Sequence, residues 1–151
     1  MARSARIPVV HSLLRFTPGQ ATMSPMSRLC GPLCVAGDLG AELITELAPL
    51  ADAPSIRDHV VFKRTYDGFT GTALEATLRD LNATRLLMCG VQTHVCVMHT
   101  ALVAFLRGFE IIVIEDCCGS PCLEDHEWAL RHMQHFAGAQ VTNWEALALA
   151  F

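Results

Sequence analysis

Two residues in this sequence stand where a side chain could do chemistry. Cys96 lies six residues beyond Gly90, in Gly90-Val91-Gln92-Thr93-His94-Val95-Cys96. The apolar run Arg85-Leu86-Leu87-Met88-Cys89 precedes that turn, and an apolar helical stretch from about Val95 to Leu106 follows it. Cys96 therefore falls in the first turn of a helix. The helix dipole lowers a thiol pKa there, and unbonded backbone N–H groups can receive an oxyanion. Lys63 closes a second apolar run, His59-Val60-Val61-Phe62. A lysine from a neighbouring strand end favours the thiolate by its charge. Such a pair suits nucleophilic attack on an acyl or carbamoyl carbon through a thioester-type intermediate. Both residues also have plainer readings: a cysteine in an apolar helix is commonly inert core, and Lys63 fits a solvated strand end.

The elements that must position them alternate strand and helix. Ile7–His11, His59–Phe62, Arg85–Cys89, Glu110–Ile114 and Gln140–Val141 read as strands. Arg85–Cys89 is continuously apolar, as an interior strand of a parallel sheet should be. Residues 17–37 hold three prolines and three glycines without period and read as a long loop. Asp38 can cap a helix over Leu39–Leu47, with Pro49 as its stop. Thr72 opens a helix carrying Leu74, Leu78 and Leu81. Gly108 stops the helix that starts near Val95. Ser120-Pro121 reads as an N-cap followed by proline at the first helical position, ahead of Trp128, Leu130, Met133 and Phe136. Thr142-Asn143-Trp144-Glu145 reads as a capping box. The pattern predicts one α/β domain over residues 1–151, a parallel sheet with helices on both faces. Sites in such sheets lie beyond the carboxyl ends of the strands, where Lys63 and Cys96 both stand.

Composition narrows the function. The chain has 151 residues, 52% of them hydrophobic and 17% charged, which excludes a disordered chain. The net charge is −4 and Lys and Arg do not cluster, so nucleic acid and anionic membrane are poor partners. No apolar run reaches the roughly 18–20 residues that span a bilayer. Seven cysteines cannot all pair within one chain, and the basic start Met1–Arg6 leads to too few apolar residues for a secretory signal. A reducing, cytoplasmic setting with free thiols is expected.

The motifs resemble those of the isochorismatase-like cysteine hydrolase family. They are Lys63-Arg64, Tyr66, Phe69, Thr72 and Leu74; Leu78-Arg79; Gly90-Val91-x-Thr93-x-x-Cys96-Val97-x-x-Thr100-Ala101; then Gly108-Phe109 and Asp116. The resemblance runs from Ile7 to Leu147. It implies a three-layer, Rossmann-type α/β sandwich and a Cys–Lys–Asp triad, with Cys96 as nucleophile and Lys63 as the lysine. It also implies a cis peptide at Val91-Gln92. Val91, Gln92, Thr93 and Val95 would shape the oxyanion and substrate site, and Tyr66 and Phe69 would line the pocket, though both also fit the core. The implied reaction is hydrolysis of a small amide or carbamoyl compound. Isochorismate-type substrates rank below, because a nucleophilic cysteine has a direct use only at acyl-type carbon.

The departures matter too. The family's aspartate ends its first, central strand, and nothing here matches that strand; Arg6–Val10 resembles the second. The resemblance implies an amino-terminal βα unit of about 30–40 residues that this sequence does not match. The expectation is therefore a domain lacking its first strand: a shortened form of an active enzyme, or an inactive homologue serving as a binding or oligomerisation module. Asp38, Asp67 and Asp116 do not match the missing base, and Asp116 would support the site instead. Cys117, Cys118, Cys122 and His126 lack a CxxC pair, and a zinc site there is disfavoured. His11-Ser12-Leu13 fails the Asp-x-His metal pattern of the related nicotinamidases. His132 and His135 read as a solvated helix face. No cofactor is expected; the expected partners are a small-molecule substrate and further copies of the chain.

Overall fold

The computed structural model describes residues 7–47 and 58–148. These fall into two compact units, divided between Thr65 and Tyr66.

The first unit holds a two-stranded parallel sheet. β1 (Val9–Leu14) pairs with β2 (Asp58–Lys63) in the register Val9 to Asp58 through Leu14 to Lys63. β1 thus runs three residues past the expected His11. Residues 17–37 are not a loop throughout. They contain two short helices, α1 (Pro18–Met23) and α2 (Pro25–Cys30). Each starts with proline at its first helical position, where a missing N–H and a pre-set φ favour a helix. The Gln20 side chain accepts from the Thr17 N–H at 3.2 Å, and Ser24 Oγ accepts from the Ser27 N–H at 3.0 Å. The predicted helix over Leu39–Leu47 is replaced by two 3₁₀ turns, Leu39–Ala41 and Thr45–Leu47. Gly40 inside it, and the β-branched Ile44-Thr45 pair, weaken an α-helix there. Asp38 precedes the first turn without a side-chain cap. Pro49 lies outside the described residues.

The second unit holds a three-stranded parallel sheet in the order β3-β4-β5: β3 (Arg85–Val91), β4 (Glu110–Gly119) and β5 (Gln140–Thr142). α3 (Leu74–Asp80) precedes it, with Thr72 Oγ1 accepting from the Leu74 N–H at 3.1 Å. A π-helical turn, Thr93–Val97, leads into α4 (Met98–Leu106) and joins β3 to β4. α5 (Leu123–Ala137) joins β4 to β5, and α6 (Trp144–Ala148) follows. Gly108 stops α4 with φ +84, a left-handed conformation that glycine adopts without penalty.

The core of this unit is β4 against the helices. Ile111, Ile112, Val113 and Ile114 are buried, with Ala101 and Ala104 of α4 and Ala129 and Met133 of α5. β3 differs from its expected interior position. Among the described residues it pairs only with β4, and Leu86, Leu87 and Met88 are half-buried. β4 is longer than predicted because, past an irregularity between Met88 and Gly90, Cys118 and Gly119 pair with Gly90 and Val91. α5 begins later than the Ser120-Pro121 signal, because Ser120 Oγ bonds to His94 instead of capping. Asn143, not Thr142, caps α6: its Oδ1 accepts from the Ala146 N–H at 2.8 Å.

Candidate active site

Lys63 is the last residue of β2. It is buried, with 3% of its surface exposed, in place of the solvated strand end that remained an alternative. Burial is rare for lysine. Its carbonyl accepts from the Arg15 N–H at 3.0 Å, which fixes the strand end. Arg15 packs its guanidinium over the Phe62 ring, 4.7 Å from the centroid. His11 Nε2 lies 3.7 Å from a carboxylate oxygen of Asp58.

Cys96 sits on the π-helical turn at the carboxyl end of β3. π-turns recur at functional sites, because the extra residue re-aims a side chain. The Val91–Gln92 peptide is cis. The Gln92 carbonyl then accepts from the N–H groups of both Val95 and Val97, each at 3.2 Å. Val91 and Gln92 are exposed, Val95 and Cys96 are half-buried, and Thr93 is wholly buried.

Each residue of this turn up to Cys96 is tethered. Thr93 Oγ1 and His126 Nδ1 are 2.8 Å apart. His94 Nδ1 and Ser120 Oγ are 2.8 Å apart, and His94 Nε2 lies 3.9 Å from the Asp125 carboxylate. His99 Nδ1 donates to the Val95 carbonyl at 2.6 Å. Thr100 Oγ1 donates to the Cys96 carbonyl at 2.6 Å and accepts from the Gly68 N–H at 3.0 Å. Thr100 thereby ties the Tyr66–Phe69 segment to the cysteine's helix. The Tyr66 ring is tilted against that of His99, ring centroids 5.4 Å apart. Phe69 is 5% exposed, packs on Phe109 and lies under the Arg107 guanidinium, so it takes the core position of its two readings.

The other sequence candidates fall elsewhere. Asp116 Oδ1 accepts from the Trp144 N–H at 2.8 Å and anchors α6. Cys117 and Cys118 lie on β4. Burial, with Cys89 nearby, pushes the Cys118 thiol up to about 12; burial also raises Cys89 and Cys117. No group of three or more His, Cys, Asp or Glu among the described residues has metal-holding geometry. His132 is not on a solvated face alone: its ring stands between Trp128 at 4.9 Å and Phe136 at 4.5 Å. A shallow groove of about 470 Å³ among Arg85, Phe105, Phe109 and Gln140 opens at the amino-terminal ends of β3 and β5, away from Cys96. Sequence reasoning did not pair His126 with Thr93. The signal available was its place near the start of the helix that follows β4, at the same sheet end as Thr93.

Comparison with known proteins follows the same lines. The Isochorismatase domain family matches residues 1–146. A Bacillus subtilis (strain 168) protein, described as the uncharacterized isochorismatase family protein PncA, is 38% identical over 119 residues, 78% of this chain and 65% of that protein. The chain thus spans just under two-thirds of that relative. The crystal structure of nicotinamidase/pyrazinamidase PncA from Bacillus subtilis superposes with TM-score 0.83 at 32% identity, covering 94% of this chain and 78% of that one. N-carbamoylsarcosine amidase from Thermoplasma acidophilum superposes at 0.80 with 29% identity, covering 94% and 75%.

Proposed function

The chain belongs to the isochorismatase family, and from that premise we propose that it is a cysteine hydrolase of a small amide or carbamoyl compound. The observation that carries this reading is Cys96 on the tethered π-turn directly after β3. The similarity to a nicotinamidase and to an N-carbamoylsarcosine amidase supports a C–N bond as the target.

The Cys96 thiolate attacks the carbonyl carbon. The C=O electrons move to oxygen, and the Cys96 N–H is the donor assigned to the oxyanion, since Val95 already donates to Gln92. Collapse of this intermediate breaks the C–N bond, and the leaving nitrogen takes up the proton that the Cys96 thiol lost to solvent, so that it departs as the neutral amine. Water then hydrolyses the thioester and frees the thiol. The family resemblance gives Lys63 the task of favouring the thiolate by its charge. Val91, Gln92, Val95 and Tyr66 border the substrate, and Thr93 positions the turn from within. The base that the resemblance calls for, an aspartate, has no match in this sequence.

Two variants test the proposal. Cys96→Ser is expected to abolish turnover of nicotinamide and N-carbamoyl amines. Lys63→Ala is expected to slow iodoacetamide alkylation of Cys96 at neutral pH, because a positive charge that favours the thiolate is removed. Unchanged turnover in Cys96→Ser would end the nucleophile assignment. An unchanged alkylation rate in Lys63→Ala would separate the lysine from the thiol.

A further inference from the structure

Four side-chain bonds hold the turn that carries Cys96, and they are not equivalent. His99 bonds the carbonyl of Val95, and Thr100 that of Cys96, each four residues back along one helix. Such bonds move with the helix and do not fix it against the sheet. Two residues of the turn reach other elements among the described contacts. His94 bonds to Ser120, on the irregular segment before α5, and its Nε2 lies 3.9 Å from the exposed carboxylate of Asp125. Thr93 goes to His126, within the first turn of α5.

The second bond is the better anchor. The Thr93 side chain is fully buried, so no water replaces its partner. α5 is 15 residues long and is seated by Ala129, Leu130, Met133 and Ala137, each at most 7% exposed. The His126 backbone is therefore held by a packed helix, and its ring reaches a hydroxyl three residues before Cys96. We propose that His126 is a positioning residue for Cys96, acting through Thr93: its Nδ1 fixes the start of the π-turn and so the direction of the thiol. His126 does not exchange protons with the reacting atoms. The bond survives either ring charge, because the threonine hydroxyl both donates and accepts. This inference rests on the nucleophile assignment above, but its measurement does not require turnover.

The probe is iodoacetamide on the full chain, with Cys96 labelling followed by peptide mapping against pH. His126→Ala is expected to lower the plateau rate about 10-fold, in keeping with the cost of sub-ångström to ångström misplacement of a reacting group. Thr93→Val is expected to fall equally. The double variant should be no slower than either alone, since one bond is lost in all three. His126→Asn puts an amide atom near the Nδ1 position and is expected to recover most of the rate. A merely structural histidine would lower the melting temperature and leave the plateau rate where it was. A wild-type plateau in His126→Ala, or additive losses in the double variant, would overturn the proposal. Should His126→Ala fail to fold, the comparison of Thr93→Val with His126→Asn decides: equal rates overturn it, and a slow Thr93→Val beside a fast His126→Asn supports it. If Cys96→Ser retains amide turnover, the hydrolase reading fails while the alkylation result stands by itself.

Discussion

At the scale of single residues, the seven thiols are separated by their surroundings. The thiolate is the reactive form, so a raised pKa silences a cysteine at neutral pH. Burial pushes the Cys118 thiol up to about 12 and raises Cys89 and Cys117 as well. Brief iodoacetamide treatment of folded protein at pH 7.5 (roughly physiological) is expected to label Cys96 before these three. Peptide mapping checks it, and first labelling at Cys117 would count against Cys96 as nucleophile. Cys118 also predicts an alkaline signature. Below pH 9 its thiol is protonated in both the folded and unfolded chain, and its contribution to stability is complete. Between about 9 and 12 the unfolded chain loses the proton while the folded one keeps it, so stability falls as pH rises. The melting temperature should drop across that window, and Cys118→Ala should flatten the drop. Parallel slopes would refute the assignment.

At the scale of elements, Thr100 does the most with one hydroxyl. It is 8% exposed, donates to Cys96 and accepts from Gly68, and so joins α4 to the segment before α3. Thr100→Val keeps the shape and removes both bonds, leaving a buried Gly68 N–H without its acceptor. Loss of about 1–3 kcal/mol is expected, seen as a lower urea midpoint at constant slope. A change below about 0.5 kcal/mol, the ordinary range for surface substitutions, would mean that the Gly68 N–H finds another partner. Arg107 makes a similar junction on the outer side, with its guanidinium over Phe69 and its Nε donating to Glu75 at 2.9 Å.

At the scale of the molecule, the described strands form one parallel sheet of two strands and one of three, and β3 is paired on one side only among the described residues. A short apolar parallel edge is unusual, since parallel sheets are ordinarily covered and interior. The family's aspartate-bearing strand has no match in these 151 residues. Residues 1–151 are therefore expected to show at most trace amide hydrolysis, as loss of a general base costs about 10²–10⁴ in rate. The comparison is with a version carrying a consensus strand, ended by aspartate, ahead of Met1. That version should turn over substrate and melt higher. If the 151-residue form is monomeric, cooperative and equally active, a carboxylate within it supplies the base.

The places of the two proposed site residues on their elements were legible in sequence, because strand ends and helix starts are local. Period, apolar runs and the Gly-Val-x-Thr-x-x-Cys spacing placed Cys96 at the end of β3 and Lys63 at the end of β2 without any long-range information. Gly108 as a stop was local in the same way. What sequence reasoning missed was set by partners far along the chain. Ser120 has the form of an N-cap, yet its hydroxyl goes to His94, 26 residues away. Asp116 has the place of a site residue, yet its carboxylate takes the Trp144 N–H, 28 residues away. His126 carried no motif of its own, and only packing brought it to Thr93, 33 residues distant. A side chain with several possible partners chooses by distance in space. The sequence by itself determined which residues could react and at which strand ends they stand; tertiary structure decided which neighbours hold them there.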